Sequence, residues 1–250
     1  MKLTKWMTMV VAGAVFSVGA LGSPVAAAVE ASGSVYLGYF DKYLWRGFNL
    51  SESKPVFQPG VDVSLGNFTF SYWSNIQQND GEATETDITI DYTFSPHELV
   101  SVSVGNIFYQ LDFGGFKDTN ELYLSVGLDT LLAPTLTAYW DYDEAESDGL
   151  FFTLSVGHTF EVMDNLGINL GALVSYNQAS DYAVFYEDAN GDPKSYRDFH
   201  NYELGISADY ALMENLVLSP SVLYSSGISG GAKMAIDSDW LAGINLSYNF

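Results

Sequence analysis

From about residue 32 to Phe250, apolar and polar residues take turns along the chain. In Thr86–Phe94, Ile88, Ile90, Tyr92 and Phe94 interleave with Asp87, Thr89, Asp91 and Thr93. A period of two is that of a pleated strand with one greasy and one wet face. The pattern predicts twelve strands: Gly33–Gly47, Val56–Leu65, Phe68–Asn75, Thr86–Phe94, Leu99–Tyr109 and Asn120–Asp129, then Thr135–Tyr142, Leu150–Phe160, Leu166–Asn177, His200–Tyr210, Leu216–Ser225 and Trp240–Phe250.

The gaps alternate too. After even strands they are tight: Gly66-Asn67, Ser95–Glu98, Thr130–Pro134, Glu161–Asn165 and Ala211–Asn215. After odd strands they are longer and polar, the longest being Gln178–Phe199. Outer-membrane barrels pair short periplasmic turns with long external loops. The expected fold is therefore all-β: a transmembrane antiparallel up-and-down β-barrel of about 12 strands. An even strand number puts both ends on the periplasmic side. A soluble lipocalin-like barrel or sandwich gives no reason for loop length to alternate.

Two positions sit badly in this scheme. Pro220 lies inside the eleventh strand and cannot donate a ladder bond, which predicts a bulge or a locally missing bond. Asp41 falls on the greasy face with Val35, Leu37, Tyr39, Tyr43 and Trp45, so it is either at headgroup level or turned by a bulge.

The N-terminus reads differently. Lys2 and Lys5 precede an apolar run, Trp6 to Leu21, and small residues ending Ala26-Ala27-Ala28 follow. That is the pattern of a cleaved secretory signal peptide over 1–28, leaving a barrel over 29–250. Its removal strips two lysines and no acid from a chain of 31 acidic and 9 basic residues. So acidic a chain is a poor partner for nucleic acid. The absence of Cys leaves no disulfide and no thiolate chemistry. Aromatics make up 15% of residues and gather at strand ends, where a membrane interface accommodates them. The expected aromatic girdle is Tyr43, Trp45, Trp140, Tyr176, Tyr224 and Trp240 on the outer side, and Phe94, Phe160, Tyr210 and Phe250 on the periplasmic side.

On this register the lumen receives Asp62, Asp87, Asp91, Glu121, Asp129, Asp141, Glu203 and Asp209, with Ser and Thr between them. Its bases are Lys42 and Arg46, near the outer mouth. Carboxylates along a narrow water path concentrate cations and repel anions. Two readings of Lys42 and Arg46 stand side by side. They oppose the carboxylates across a constriction, or they pair with Asp62 and its neighbours to hold the first two strands together.

Tyr43-Leu44-Trp45-Arg46-Gly47-Phe48, Lys54-Pro55-Val56-Phe57-Gln58-Pro59-Gly60 and the strand Phe68 to Asn75 together resemble the start of the TorF-type porins of the bacterial outer membrane. The resemblance covers roughly residues 36–75. Phe48-Asn49-Leu50 stands where a more polar run is expected. The resemblance implies a passive channel and supplies no catalytic residues.

Other constellations are weaker. Asp188, Asn190 and Asp192 are spaced as in a calcium loop, but Pro193 and Phe199 occupy the Gly and Glu positions, so a solvated turn is expected and no metal. The acidic run Asp141, Asp143, Glu144, Glu146 and Asp148 reads as a water-facing external loop. His97, His158 and His200 are the three histidines, and no Gly-x-Ser-x-Gly elbow accompanies them.

The expectation is a non-enzymatic porin in the bacterial outer membrane, a diffusion channel of Gram-negative type passing small hydrophilic solutes with cation preference and using no cofactor. Its expected partners are outer-membrane lipid, lipopolysaccharide and the barrel-assembly machinery, reached through the C-terminal strand. The alternatives are a non-conducting barrel for surface interaction or envelope structure and, more remotely, an outer-membrane hydrolase.

Overall fold

The computed structural model describes residues 31–144, 149–180 and 196–250, with residue 190 and the short backbone pieces 7–11, 14–18, 186–187 and 193–194. Twelve strands form one closed antiparallel barrel. They are β1 (Ala31–Phe40), β2 (Val56–Leu65), β3 (Phe68–Gln77), β4 (Ala83–His97), β5 (Val100–Leu111) and β6 (Thr119–Leu128), followed by β7 (Thr135–Asp141), β8 (Leu150–Met163), β9 (Leu166–Gln178), β10 (Arg197–Met213), β11 (Leu216–Gly227) and β12 (Asp239–Asn249). Sequential strands pair, and β12 closes on β1 from Gly243 opposite Phe40 to Asn249 opposite Ser34. No free edge remains, which is the condition for a sheet to cross hydrocarbon. Met7–Val11 and Ala14–Val18 pair in a separate sheet. The rest of the expected signal segment, the calcium-like turn and Glu146 and Asp148 lie outside the described residues, apart from the short pieces named above.

The alternation seen in the sequence sorts the two faces. Val35, Val61, Tyr72, Ile88 and Phe108 follow one another around the exterior, each opposite the next or within the same outward row. The large apolar side chains that remain exposed come mostly from this outward set, which is the surface of a membrane-spanning barrel. Among the described residues no helix is long and apolar enough to cross a membrane, which says nothing against crossing with strands. Aromatics gather at both rims. Trp140 lies 5.9 Å from Tyr142, Tyr176 5.5 Å from Phe199, and Tyr224 4.8 Å from Trp240 at the long-loop end. Phe94, Phe160, Tyr210 and Phe250 lie exposed at the short-turn end.

Three short turns are tighter than expected, because β4, β8 and β10 run on to His97, Met163 and Met213. Pro220 pairs with Ile244 of β12. On its other side the ladder stops at Ser207–Ser221 and resumes in the same register at Tyr210–Leu218. The missing proline donor is thus absorbed as a local gap, not a bulge. Pro59 in β2 repeats the solution, with pairing to β3 interrupted between Phe57–Ile76 and Gly60–Trp73.

The main departure is in the first strand. It was expected to run to Gly47 but ends at Phe40. The chain bends at Asp41 and Lys42, and Asp41 Oδ1 accepts a bond from the Ala242 amide, 3.0 Å away. Residues 43–50 then fold into the lumen. Tyr43 and Leu44 pack with Phe40, Val56, Leu223 and Leu241 in a buried cluster, with Trp45, Leu50 and Trp73 against it. Tyr43 and Trp45 therefore do not belong to the outer girdle. Their period-two spacing from Tyr39 continues the greasy face in sequence but not in space.

Candidate functional site

The inserted segment is a small hairpin. Leu44–Trp45 pairs with Phe48–Asn49 across a two-residue turn, Arg46-Gly47. Both turn residues have positive φ, 50° and 84°, as the tightest hairpin turns require. Glycine suits position 47 twice over, since a β-carbon there would also strike Ile236 Cδ1. Leu50 N donates to Tyr43 O over 2.9 Å and Tyr43 N to Ser51 Oγ over 2.8 Å, which closes the base. Lys42 pairs with Asp239 at the start of β12.

This places Arg46 at the tip, inside the barrel. Its Nη2 donates to Glu121 Oε2 on β6 over 2.7 Å. Tyr109 Oη donates to the same oxygen over 2.9 Å. The guanidinium carbon lies 4.3 Å from the Trp45 and Phe151 ring centres and 5.1 Å from that of Tyr139. A planar, weakly hydrated cation is suited to such a cage. On the other side His200, fully buried, places Nε2 2.6 Å from Arg46 O and stacks on Phe48. Its Nδ1 meets Tyr196 Oη. Lys42 and Arg46 thus pair with Asp239 and Glu121 rather than with Asp62. Of the two readings, pairing of the first two strands is not what these bases do: Lys42 ties the base of the hairpin to β12, next to β1, and Arg46 ties its tip to β6 on the facing wall.

The remaining predicted residues divide by depth. Asp62 lies inward on β2, with Ser34 Oγ 3.4 Å away. Asp91 accepts from Thr93 and from Tyr123 Oη, each over 2.6 Å. Asp209 accepts from Asn169 Nδ2 over 2.8 Å and Ser219 Oγ over 2.7 Å. These three lie on the half nearer the short turns, in a wall of Ser and Thr. Asp87, Glu121, Asp141 and Glu203 lie inward nearer the long loops; Asp141 accepts from Thr119 Oγ1 over 2.7 Å and Glu203 from Asn201 Nδ2 over 3.0 Å. Asp129 is not among the inward set. It sits exposed just past β6, its amide bonded to Leu99 O, because β6 ends one residue before it.

Sequence reasoning missed Glu85, which shares the inward face with Asp87 and is 3% exposed. It also missed the inward aromatics Tyr36, Trp73, Tyr109, Tyr123 and Tyr139. Tyr36 and Tyr123 seat over Gly60 and Gly105, where any β-carbon would collide with the ring. A recess of about 520 Å³, counting its open mouth, lies between the hairpin and the β4–β7 wall, lined by Trp45, Tyr109, Phe113, Phe116, Glu85 and Glu121 among others. Among the described residues, no group of three or more His, Asp or Glu converges as a metal site. The three histidines stand apart. His97 caps its own turn, with Leu99 N 3.1 Å from Nδ1, and His158 lies on the exterior against Phe160.

No protein-family model matches the chain, and no curated protein does. Solved structures do. The NanC porin aligns with TM-score 0.54 and 13% identity over 86% of this chain and 98% of that one. The KdgM porin aligns with TM-score 0.55 and 13% identity over 87% and 99%. An outer-membrane channel from Pseudomonas putida F1 aligns with TM-score 0.52 and 9% identity over 90% and 97%. At these identities what is shared is the fold, that of porin-type barrels.

Proposed function

We propose that this chain is a diffusion channel of the bacterial outer membrane that passes small hydrophilic solutes and prefers cations. The observation that carries this reading is the charge inside a closed barrel with an apolar exterior. Asp62, Glu85, Asp87, Asp91, Asp141, Glu203 and Asp209 line the lumen, whereas Lys42 and Arg46, its bases among the described residues, are already engaged in ion pairs. Carboxylates in a narrow water path raise the local cation concentration. The porin-type fold and the TorF-like segment, which builds β1 to β3 and the inserted hairpin, support the channel part. One neighbouring structure is of KdgM with oligogalacturonate, a polyanionic sugar. The acidic lumen here argues for solutes of the opposite sign. Outer-membrane lipid, lipopolysaccharide and the assembly machinery are proposed partners on the strength of the aromatic rims and the C-terminal strand.

The test is a current–voltage curve of purified protein in a planar bilayer under a potassium chloride gradient. Discrete conductance with a reversal potential favouring potassium is expected. Chloride preference overturns the selectivity. Absence of conductance favours the second reading, a closed barrel acting through its external loops, which the inserted hairpin supports.

A further inference from the structure

The recess beside the hairpin is largely aromatic and carries two carboxylates. Its walls are mainly aromatic: Trp45 on the hairpin, Tyr109 at the end of β5, and Phe113 and Phe116 in the external loop. Phe113 and Phe116 lie 5.2 Å apart with their rings tilted 40° to each other, and Trp45 meets Tyr109 edge-on at 6.4 Å. Glu85 and Glu121 reach it from β4 and β6. Glu121 is matched by Arg46. Glu85 is not in any ion pair of the described residues. It is 97% buried; Tyr43 and Asp87 hydrogen-bond its carboxyl, and its Oε2 is left without a further donor. A buried carboxylate oxygen left without a donor is unfavourable, because its lost hydration is not replaced. A donor brought by a solute would remove that cost. Aromatic faces attract cations and cover apolar rings. Among the described residues, no three acidic or histidine side chains converge there as a metal site.

We infer that this recess binds a primary ammonium carried on a small aromatic or apolar body, with the ammonium at Glu85 and the body between Trp45 and the Phe113–Phe116 pair. The inference deepens the channel reading and rests on it only for the idea that such a solute goes on to cross. The site faces the long-loop end, so it meets external solute first. It combines a charge that anions cannot satisfy with walls that small hydrated ions do not use. The solute class is therefore small primary amines with an aromatic or apolar body, not sugar acids or inorganic cations.

The test uses 2-phenylethylammonium, with neutral 2-phenylethanol and anionic phenylacetate as comparators. In planar bilayers, 2-phenylethylammonium added on the long-loop side should interrupt the current at millimolar concentration, and the comparators should not. In detergent it should change tryptophan fluorescence over the same range. Glu85→Gln should weaken both effects at least tenfold, and Phe113→Ala, in the external loop away from the barrel wall, should weaken them if Glu85→Gln fails to fold. Conductance that ignores the amine, or responds equally to the alcohol, overturns the inference and leaves the channel standing. Amine-specific fluorescence change without conductance sustains the site and removes the channel.

Discussion

Arg46 Nη2 and Glu121 Oε2 meet at 2.7 Å inside the barrel, with both side chains almost sealed from solvent at 6% and 3% exposure. One group belongs to the tip of a hairpin and the other to the facing wall, so the pair decides whether the hairpin stays down. Two desolvated charges stabilise each other only as a pair, and losing one partner typically costs about 3–5 kcal/mol. Arg46→Ala should therefore lower the midpoint of urea unfolding, followed by tryptophan fluorescence in detergent, and raise single-channel conductance. Arg46→Ala combined with Glu121→Ala should be less destabilised than Arg46→Ala alone, because no buried charge is left unmatched. A single-channel conductance unchanged in both variants would show that the hairpin does not restrict the path.

His200 works on the same hairpin from the opposite side. Its Nε2 lies 2.6 Å from Arg46 O, and its ring lies 5.8 Å from Phe48 and 5.7 Å from Phe151. The ring thus fills the space behind the turn while bonding its backbone. His200→Ala should loosen the hairpin, raising conductance less than Arg46→Ala does because the ion pair survives. The same variant separates a channel from a hydrolase. A lipase assay should give no signal with either the wild type or His200→Ala. Hydrolysis by the wild type that His200→Ala abolishes would overturn the non-enzymatic reading.

Selectivity should reside deeper. Asp62, Asp91 and Asp209 lie below the hairpin among hydroxyl groups, and each has a protein donor within 3.4 Å. Asparagine keeps the shape and one acceptor oxygen of aspartate, so Asp62→Asn, Asp91→Asn and Asp209→Asn together remove charge with little change in packing. The triple variant should move the reversal potential toward zero without reversing its sign, because Glu85, Asp87 and Asp141 remain above. The measurement is the bilayer current–voltage curve in a salt gradient. An unchanged reversal potential would place selectivity wholly at the outer recess.

The barrel was legible because side-chain alternation is local. Ile88, Ile90 and Tyr92 report their face whatever lies elsewhere in the chain. The inserted hairpin was hidden by the same rule. Tyr39, Tyr43 and Trp45 keep an even spacing across a bend, and spacing alone cannot see a bend. Two signals pointed to it: Asp41 on the greasy face, and Arg46-Gly47 as a two-residue turn with a glycine at its second position. The inward aromatics were hidden by chemistry. Tyr109 follows Ser101 and Ser103 by parity, yet an aromatic at a strand end reads as girdle. The glycines opposite, such as Gly105 beneath Tyr123, were the mark of rings lying across the wall. Which acid stays unpaired at Glu85 depends on where Arg46 lands, and that is set by contacts 75 residues apart in sequence.

One outward position runs against the apolar exterior. Asn106 faces out from β5 between Ile90 and Leu122 on the neighbouring strands. Its Oδ1 accepts from Tyr142 Oη over 3.0 Å, but its Nδ2 is buried with no partner. An unsatisfied amide in apolar surroundings costs about 1–3 kcal/mol. Leucine has nearly the same length and no polar atom. Asn106→Leu should thus stabilise the barrel by about that amount, since Tyr142 is half exposed at the rim and its hydroxyl can turn to water. The check is the temperature at which the folded band shifts on detergent gels, together with urea unfolding in detergent. A lowered midpoint would mean that Asn106 makes a contact across the exterior, and would move attention to what packs against that face.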